Sequence, residues 1–415
     1  MGHEQDRARS TGTESPSETG AELPLAGVRV LDLTDRTGVY CGKLLADIGA
    51  DVIKVELPAG DDLRAKPPFR PGCPDGESSL LFAYYNNNKR GITLDWTRPE
   101  ALPVLERLGA TTQVVLISPS RKRPVVGFDD SSSWLSWTHD GAVVCGVTPY
   151  GLTGPWRHWR ATPLTSFAAS GQMYAMGPTE GPPIAMPGQQ LYDLASTRAA
   201  IDVEAVLTSP RRPSREVIDI AVHNLGAWQL LMIERYAMIG RLQNRATNFG
   251  PPPGGLWECR DGFVDIAAHA PHHWDLFVEL LGSPDDISEE TFREREMRTM
   301  LFDVLTEMIE VHMRQQSAAD FVERGQALGL PCALLYTPEE FLDDVQPRER
   351  GTLVGVEHEV LGPLRLPGPC VPGPGPLMAY RRPAPRLGGS NTDIYVGELG
   401  FEPADLKEWA DRDLI

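Results

Sequence analysis

Short apolar runs alternate along this chain with stretches whose apolar residues recur every three or four positions, a pattern of strands interleaved with helices. Gly27–Leu33 (GVRVLDL) is an apolar run opened by a turn residue and predicts a buried strand. Cys41–Ile48 (CGKLLADI) has helical spacing, and Gly49 closes it at the usual helix-ending position. Asp51–Glu56 (DVIKVE) is a second strand. Strand, helix, strand within roughly thirty residues is a right-handed βαβ unit of a parallel sheet. The alternation continues with a strand at Gly91–Asp95, a helix at Pro99–Leu108, strands at Val114–Ile117 and Val143–Val147, and a helix at Leu194–Leu207. A strand at Glu216–Ala221 and a long helix over Leu225–Ile239 follow. The texture changes from Asn248. A Gly/Pro loop, Phe249–Gly255, precedes a hairpin over Leu256–Ala268 that turns at Arg260–Gly262. Helical segments Trp274–Leu281, Met300–Met313 and Ser317–Leu328 and a strand at Cys332–Leu335 complete a second, smaller α+β unit. Gly362–Gly388 is rich in proline and glycine and predicts an extended strap. The fold class expected is α/β.

Composition narrows the function. The chain has 415 residues, 41% of them hydrophobic, enough for two or three domains. No apolar run approaches a membrane span, so no membrane association is expected. Residues 1–22 are polar and lack an apolar core, and read as a disordered tail rather than a signal peptide, which predicts a cytoplasmic protein. The net charge of −18 argues against nucleic acid as a partner. It leaves room for an anionic small molecule held by local cations. The six cysteines are far apart with no C-x-x-C pair, and the histidines of HAPHHW (His269, His272, His273) lack a recognisable ligand spacing, so no metal is expected. The turn after the first strand, DRTGVYCG, lacks the G-x-G-x-x-G of dinucleotide binding.

The candidate chemistry centres on GPPIAMPGQQLYDLAS, Gly181–Ser196, which ends with a carboxylate, Asp193, at the mouth of a predicted helix. An acid there has an ordinary structural use, capping the first turn against the helix dipole.

In order, LAGVRVLDLT, LLADIGADVIKVE, NNNKRGITLD, GVTPYGLTGPW, SFAASG, GPPIAMPGQQLYD, GLPCALLYTPEEFLDD, GPLRLPGP and APRLGGSNTDIY resemble the family III CoA-transferases. The α-methylacyl-CoA racemases share that fold. The resemblance runs from Leu23 to Ile415. It implies a Rossmann-like large domain built from both chain ends: residues 23–215, with 346–415 returning to it as strap and C-terminal part. It implies a linker helix over 216–247, a smaller domain inserted over 248–345, and two chains interlocked as linked rings in a homodimer. Gly188–Asp193 matches the family's G-x-x-x-x-D, so the resemblance implies that Asp193 attacks the thioester carbonyl of an acyl-CoA. CoA then passes to a carboxylic acid acceptor through an aspartyl intermediate. Gly254 and Gly255 occupy the family's glycine-loop position and are candidates to meet the oxyanion. Leu94 and Thr97 fall where the family touches the nucleotide of coenzyme A. Thr148, Tyr150 and Gly151 fall at its pantetheine channel, and Arg121, Lys122 and Arg123 near its phosphate-binding arginine. For the glycines and the basic run, the plain alternatives are a turn before a hairpin and a solvated loop.

The chain departs from the family pattern at Thr37–Tyr40, Leu116–Ser120 and Ser209–Ser214. The racemases place a His ahead of their S-G motif. Ala161–Gly171 has none, which favours CoA transfer over racemisation or epimerisation. A catalytically degenerate CoA-binding subunit of a heteromer is the third reading.

Overall fold

The computed structural model describes residues 23–120, 123–129, 134–178, 180–211, 216–229, 238, 240, 250–268, 270–368 and 377–415. Six parallel strands form the main sheet: β1 (Arg29–Leu33), β2 (Asp51–Glu56), β3 (Arg90–Thr93), β4 (Val114–Ile117), β7 (Val143–Thr148) and β8 (Glu216–Ala221). Between β4 and β7, β5 (Phe128–Asp129) and β6 (Trp134–Leu135) pair as a two-residue antiparallel ladder. The sheet order is β3-β2-β1-β4-β7-β8. Its strands are apolar on both faces because both faces are covered. Val30, Val52, Val114 and Leu116 face one core cluster, and Leu31, Ile53, Val115 and Ile117 face the other. The first cluster takes helices α1 (Val39–Asp47) and α5 (Gln190–Thr208), and the second takes α3 (Leu102–Ala110). Covered faces of this kind require near-continuous hydrophobic runs rather than alternation, which is why the strands were readable from sequence.

Glu216–Ala221 is one of the sheet's two edge strands, paired with β7 from Val143 to Thr148, so this stretch is sheet rather than linker. The long helix expected over Leu225–Ile239 is observed as α6 (Val222–Trp228); residues 230–237 and 239 of that expectation lie outside the described residues. The predicted tail, 1–22, lies outside them as well.

Residues 250–334 build a separate core. Strands β9 (Gly255–Cys259), β10 (Gly262–Ile266) and β11 (Cys332–Leu334) form a three-stranded antiparallel sheet. Helices His272–Leu280, Phe302–Met313 and Ala318–Leu328 pack on it through Trp274, Phe277, Ile309 and Phe321. The Pro/Gly stretch is extended where it begins, and residues 369–376 of it lie outside the described residues. Its start, β13 (Gly362–Pro367), pairs with β12 (Leu353–His358) as a hairpin, and Leu364 and Leu366 are buried with α2 (Leu80–Asn86). The chain then returns to the main sheet. Ser390 donates its N–H to the carbonyl of Gly91 at 2.8 Å, Asn391 Oδ1 accepts from Thr93 N at 2.9 Å, and the Tyr395 hydroxyl donates to the carbonyl of Thr93 at 2.8 Å.

Candidate active site

Chain order reverses between β1 and β4, and in open α/β sheets ligands bind outside the carboxyl ends of the strands at such a switch point. Segments that follow strands there carry the candidate site. Gly188 takes φ +71°, a left-handed conformation that side chains resist, and turns the chain into α5. The helix begins at Gln190 rather than Leu194, so Asp193 lies inside its first turn. The N-cap position falls to Gln189, which makes no side-chain cap bond. The capping role open to Asp193 is therefore not the one it takes. Its carboxylate is instead held by a side chain from another helix.

That side chain is Tyr85, at the end of α2. Its hydroxyl donates to Asp193, lying 3.0 Å from Oδ1 and 3.0 Å from Oδ2. Gln189 Nε2 reaches Oδ1 at 3.5 Å. Partial burial raises the Asp193 pKa to about 6, against the lowering pull of Tyr85 and Gln189. Tyr85 is 4% exposed, and burial, with the Asp193 charge beside it, pushes its phenol well above the usual tyrosine range. The hydroxyl thus stays a donor at any physiological pH. The Tyr40 ring lies edge-on to Tyr85 at 5.7 Å and the Tyr84 ring at 5.0 Å, which fixes the phenol in place.

α2 is itself anchored. Ser79 caps its start by accepting from Phe82 N. At its end, Lys89 Nζ donates to Asn86 Oδ1 at 3.1 Å, to the Val39 carbonyl at 3.0 Å and to Asp32 Oδ2 at 2.8 Å. Asp32 and Lys89 are both fully enclosed. Burial works against the Asp32 charge, but Lys54 and Lys89 outweigh it and hold the carboxyl below its usual value. Gly42 is what lets α1 approach this pair: a Cβ there would lie 2.5 Å from Asp32 Oδ2.

Thr148 and Gly151 line one cleft of about 250 Å³ at the carboxyl ends of β4 and β7. Ser120, Pro124, Arg157 and His158 are among its other lining residues. The Thr148 hydroxyl is buried and meets no hydrogen-bonding partner among the described residues. Arg123 closes the neighbouring turn by backbone bonds with Ser120 and pairs with Asp62 at 2.8 Å; Arg121 and Lys122 lie outside the described residues. Tyr150 meets Trp156 and Trp159 edge-on and His223 at a tilt, in one aromatic group. Leu94 is wholly in the core, and Thr97 bonds Asp95. Gly254 and Gly255 line a different cleft, on the smaller unit, and the Gly254 N–H donates to the Pro251 carbonyl at 3.3 Å. Sequence reading missed Tyr85 and Arg36. The Arg36 guanidinium lies 5.8 Å from the Tyr192 ring centroid, and its Nε is buried without a partner among the described residues. The available signal was position: Arg36 is a charge in the turn right after the first strand, where an α/β sheet binds ligands. Among the described residues, no three His, Cys, Asp or Glu side chains gather as metal ligands.

The model of CoA-transferase family III matches residues 25–391. The chain belongs to CoA-transferase family III. Among curated relatives of this family III protein, a probable fatty acyl-CoA transferase of Mycobacterium tuberculosis is 30% identical over 77% of this chain and 84% of its own. The succinyl-CoA:glutarate CoA-transferase of Mus musculus is 26% identical over 94% of this chain and 90% of its own. Among solved structures, a CAIB/BAIF family protein from Brucella suis superposes with a TM-score of 0.78 at 24% identity, covering 91% of this chain and 100% of that one, a likeness of fold.

Proposed function

We propose that this family III enzyme moves CoA from an acyl-CoA thioester to a carboxylic acid, with Asp193 as the nucleophile. The observation that carries the reading is the half-buried carboxylate of the G-x-x-x-x-D segment, pKa about 6, held among the described residues by the neutral donors Tyr85 and Gln189. Such a carboxylate is ionised at neutral pH yet poorly hydrated. Attack by an Asp193 oxygen on the thioester carbon expels CoA thiolate and leaves a mixed anhydride. The thiolate attacks Asp193 Cγ, releasing the donor acid and forming an aspartyl-CoA thioester. An acceptor carboxylate then attacks Cγ and the thiolate leaves again. Its return to the acceptor's acyl carbon yields the new thioester and restores Asp193. Splitting the exchange in this way replaces one difficult step by easier ones.

The same proposal lays coenzyme A along the Thr148–Gly151 loop, where the Thr148 hydroxyl, without a partner among the described residues, supports a polar ligand, with its phosphates toward Arg121, Lys122 and Arg123. A nucleotide contact at Leu94 would come from the backbone, since its side chain is in the core. Gly254 and Gly255 would reach Asp193 from the smaller unit as oxyanion donors. The smaller unit is read as an inserted domain, the assembly as an interlocked homodimer, and the location as cytoplasmic. Incubation with a panel of acyl-CoAs and mono- and dicarboxylic acids, read by mass spectrometry, tests transfer. Asp193→Ala should abolish exchange while CoA still binds; an active variant would refute the nucleophile.

A further inference from the structure

The hydroxyl of Tyr85 sits symmetrically over Asp193, 3.0 Å from each carboxylate oxygen. A donor that served only to steer one oxygen would favour one. Symmetry has a chemical consequence once either oxygen reacts. The reacting oxygen becomes the bridging atom of the anhydride, gives up its charge and becomes a poor acceptor. The hydrogen bond then collapses onto the other oxygen, now the carbonyl of Asp193 itself. In the two following steps, thiolate and then acceptor carboxylate attack Cγ, and the negative charge of each tetrahedral intermediate develops on that same oxygen. A donor is already in place there, at hydrogen-bonding distance and in a half-buried site.

Resting on the nucleophile assignment above, we infer that Tyr85 is a catalytic residue: it supplies the oxyanion hydrogen bond to the aspartyl carbonyl whenever Cγ is attacked. The role is separate from stabilising the donor's own thioester carbonyl, which needs different N–H groups. Tyr85 gives up no proton in any step. Bonds form and break only at Cγ and at the acyl carbons, and each tetrahedral intermediate expels thiolate or carboxylate. Three features support a donor built for this use. The ring is caged by Tyr40 and Tyr84, so the hydroxyl cannot swing away. The helix end that carries it is fixed through Asn86 and Lys89 to the buried Asp32. Burial keeps the phenol protonated. Donors fixed in advance where charge develops are among the most effective catalytic devices, and loss of one typically costs about 10²- to 10³-fold in kcat.

The test is Tyr85→Phe, followed in three ways. Steady-state exchange should fall about a hundredfold or more. In a single turnover with the donor alone, free thiol release should persist, while conversion of the Asp193 peptide to its CoA thioester, followed by mass, should slow. The acid limb of the rate should move to higher pH, because a bond that lowers the Asp193 pKa has gone; a purely structural loss would not move it. Exchange within about twofold of the parent, or an acid limb that stays put, would overturn the inference. If Tyr85→Phe does not fold, fluorotyrosines at position 85 keep the ring and the hydroxyl. Their rates should then follow phenol acidity, and a flat series would overturn the inference. Failure of the nucleophile reading looks different: the parent enzyme would form no adduct at Asp193, or Asp193→Ala would still exchange CoA.

Discussion

Asp193 has its carboxylate half out of water, and that has two measurable consequences. As the proposed nucleophile, with a pKa of about 6, it is ionised above that value, so the acylation rate should fall about tenfold per pH unit below it and level off above it. A pH–rate profile flat from 4 to 8 would contradict this. Stability follows by linkage. The folded pKa lies above the unfolded value of 3.8, so between the two the native state binds the extra proton, and ionisation costs stability as pH rises through about 6. Asp193→Asn removes that cost. It should melt at or above the parent's temperature at pH 8, with the difference shrinking toward pH 4. The position of Asp193 was legible in the sequence, but its environment was not. Nothing in a linear reading shows that Tyr85, 108 positions away, lies over it. Tyr85 stands at the end of an apolar run, in a place that reads equally well as core.

At the level of elements, the strands and helices of the main sheet were legible because full burial on both faces leaves continuous apolar runs. The polar stretch Asn86–Arg90 was harder. Lys89 and Arg90 look like a solvated loop, yet Lys89 is 1% exposed and bonded to Asp32, and Arg90 pairs with Asp51 and Glu398. These partners come from distant parts of the chain, so only the assembled sheet reveals them. The enclosed pair gives a sharp expectation. Lys89→Met strands Asp32 with Lys54 3.9 Å away as its remaining ion-pair partner, and should cost on the order of 3–5 kcal/mol in urea unfolding. Replacing both members, Asp32→Asn with Lys89→Met, should cost less than Lys89→Met alone. The opposite order would show that the pair does not act as a unit. Gly42→Ala should destabilise by a similar route, because its Cβ would press on both Asp32 and Lys89.

For the whole molecule, the acidic total of −18 makes any basic cluster conspicuous to an anion. Replacing Arg121, Lys122 and Arg123 together should weaken CoA binding, more at low salt than at high salt, in calorimetric titration. Unchanged affinity would return them to the solvated surface. The interlocked homodimer proposed above could not part without opening a chain, so it should remain dimeric in sedimentation at nanomolar concentration. A folded monomer there would exclude interlocking. The smaller unit was legible as a change in texture, whereas the place of Gly254 and Gly255 relative to Asp193 was not: within the chain they line a cleft of their own.

The contacts that residues 390–395 make with β3 also set an order in time. β3 ends the sheet, and its outer backbone groups at Gly91 and Thr93 are satisfied by Ser390, Asn391 and Tyr395. During synthesis this edge leaves the ribosome about three hundred residues before its cover, which at roughly 5–20 residues per second leaves it bare for tens of seconds. An uncovered edge strand is a template for another chain. Nascent chains of this protein should therefore depend on chaperones until the cover emerges. Chains stopped at Gly388 should pellet where the full chain stays dispersed.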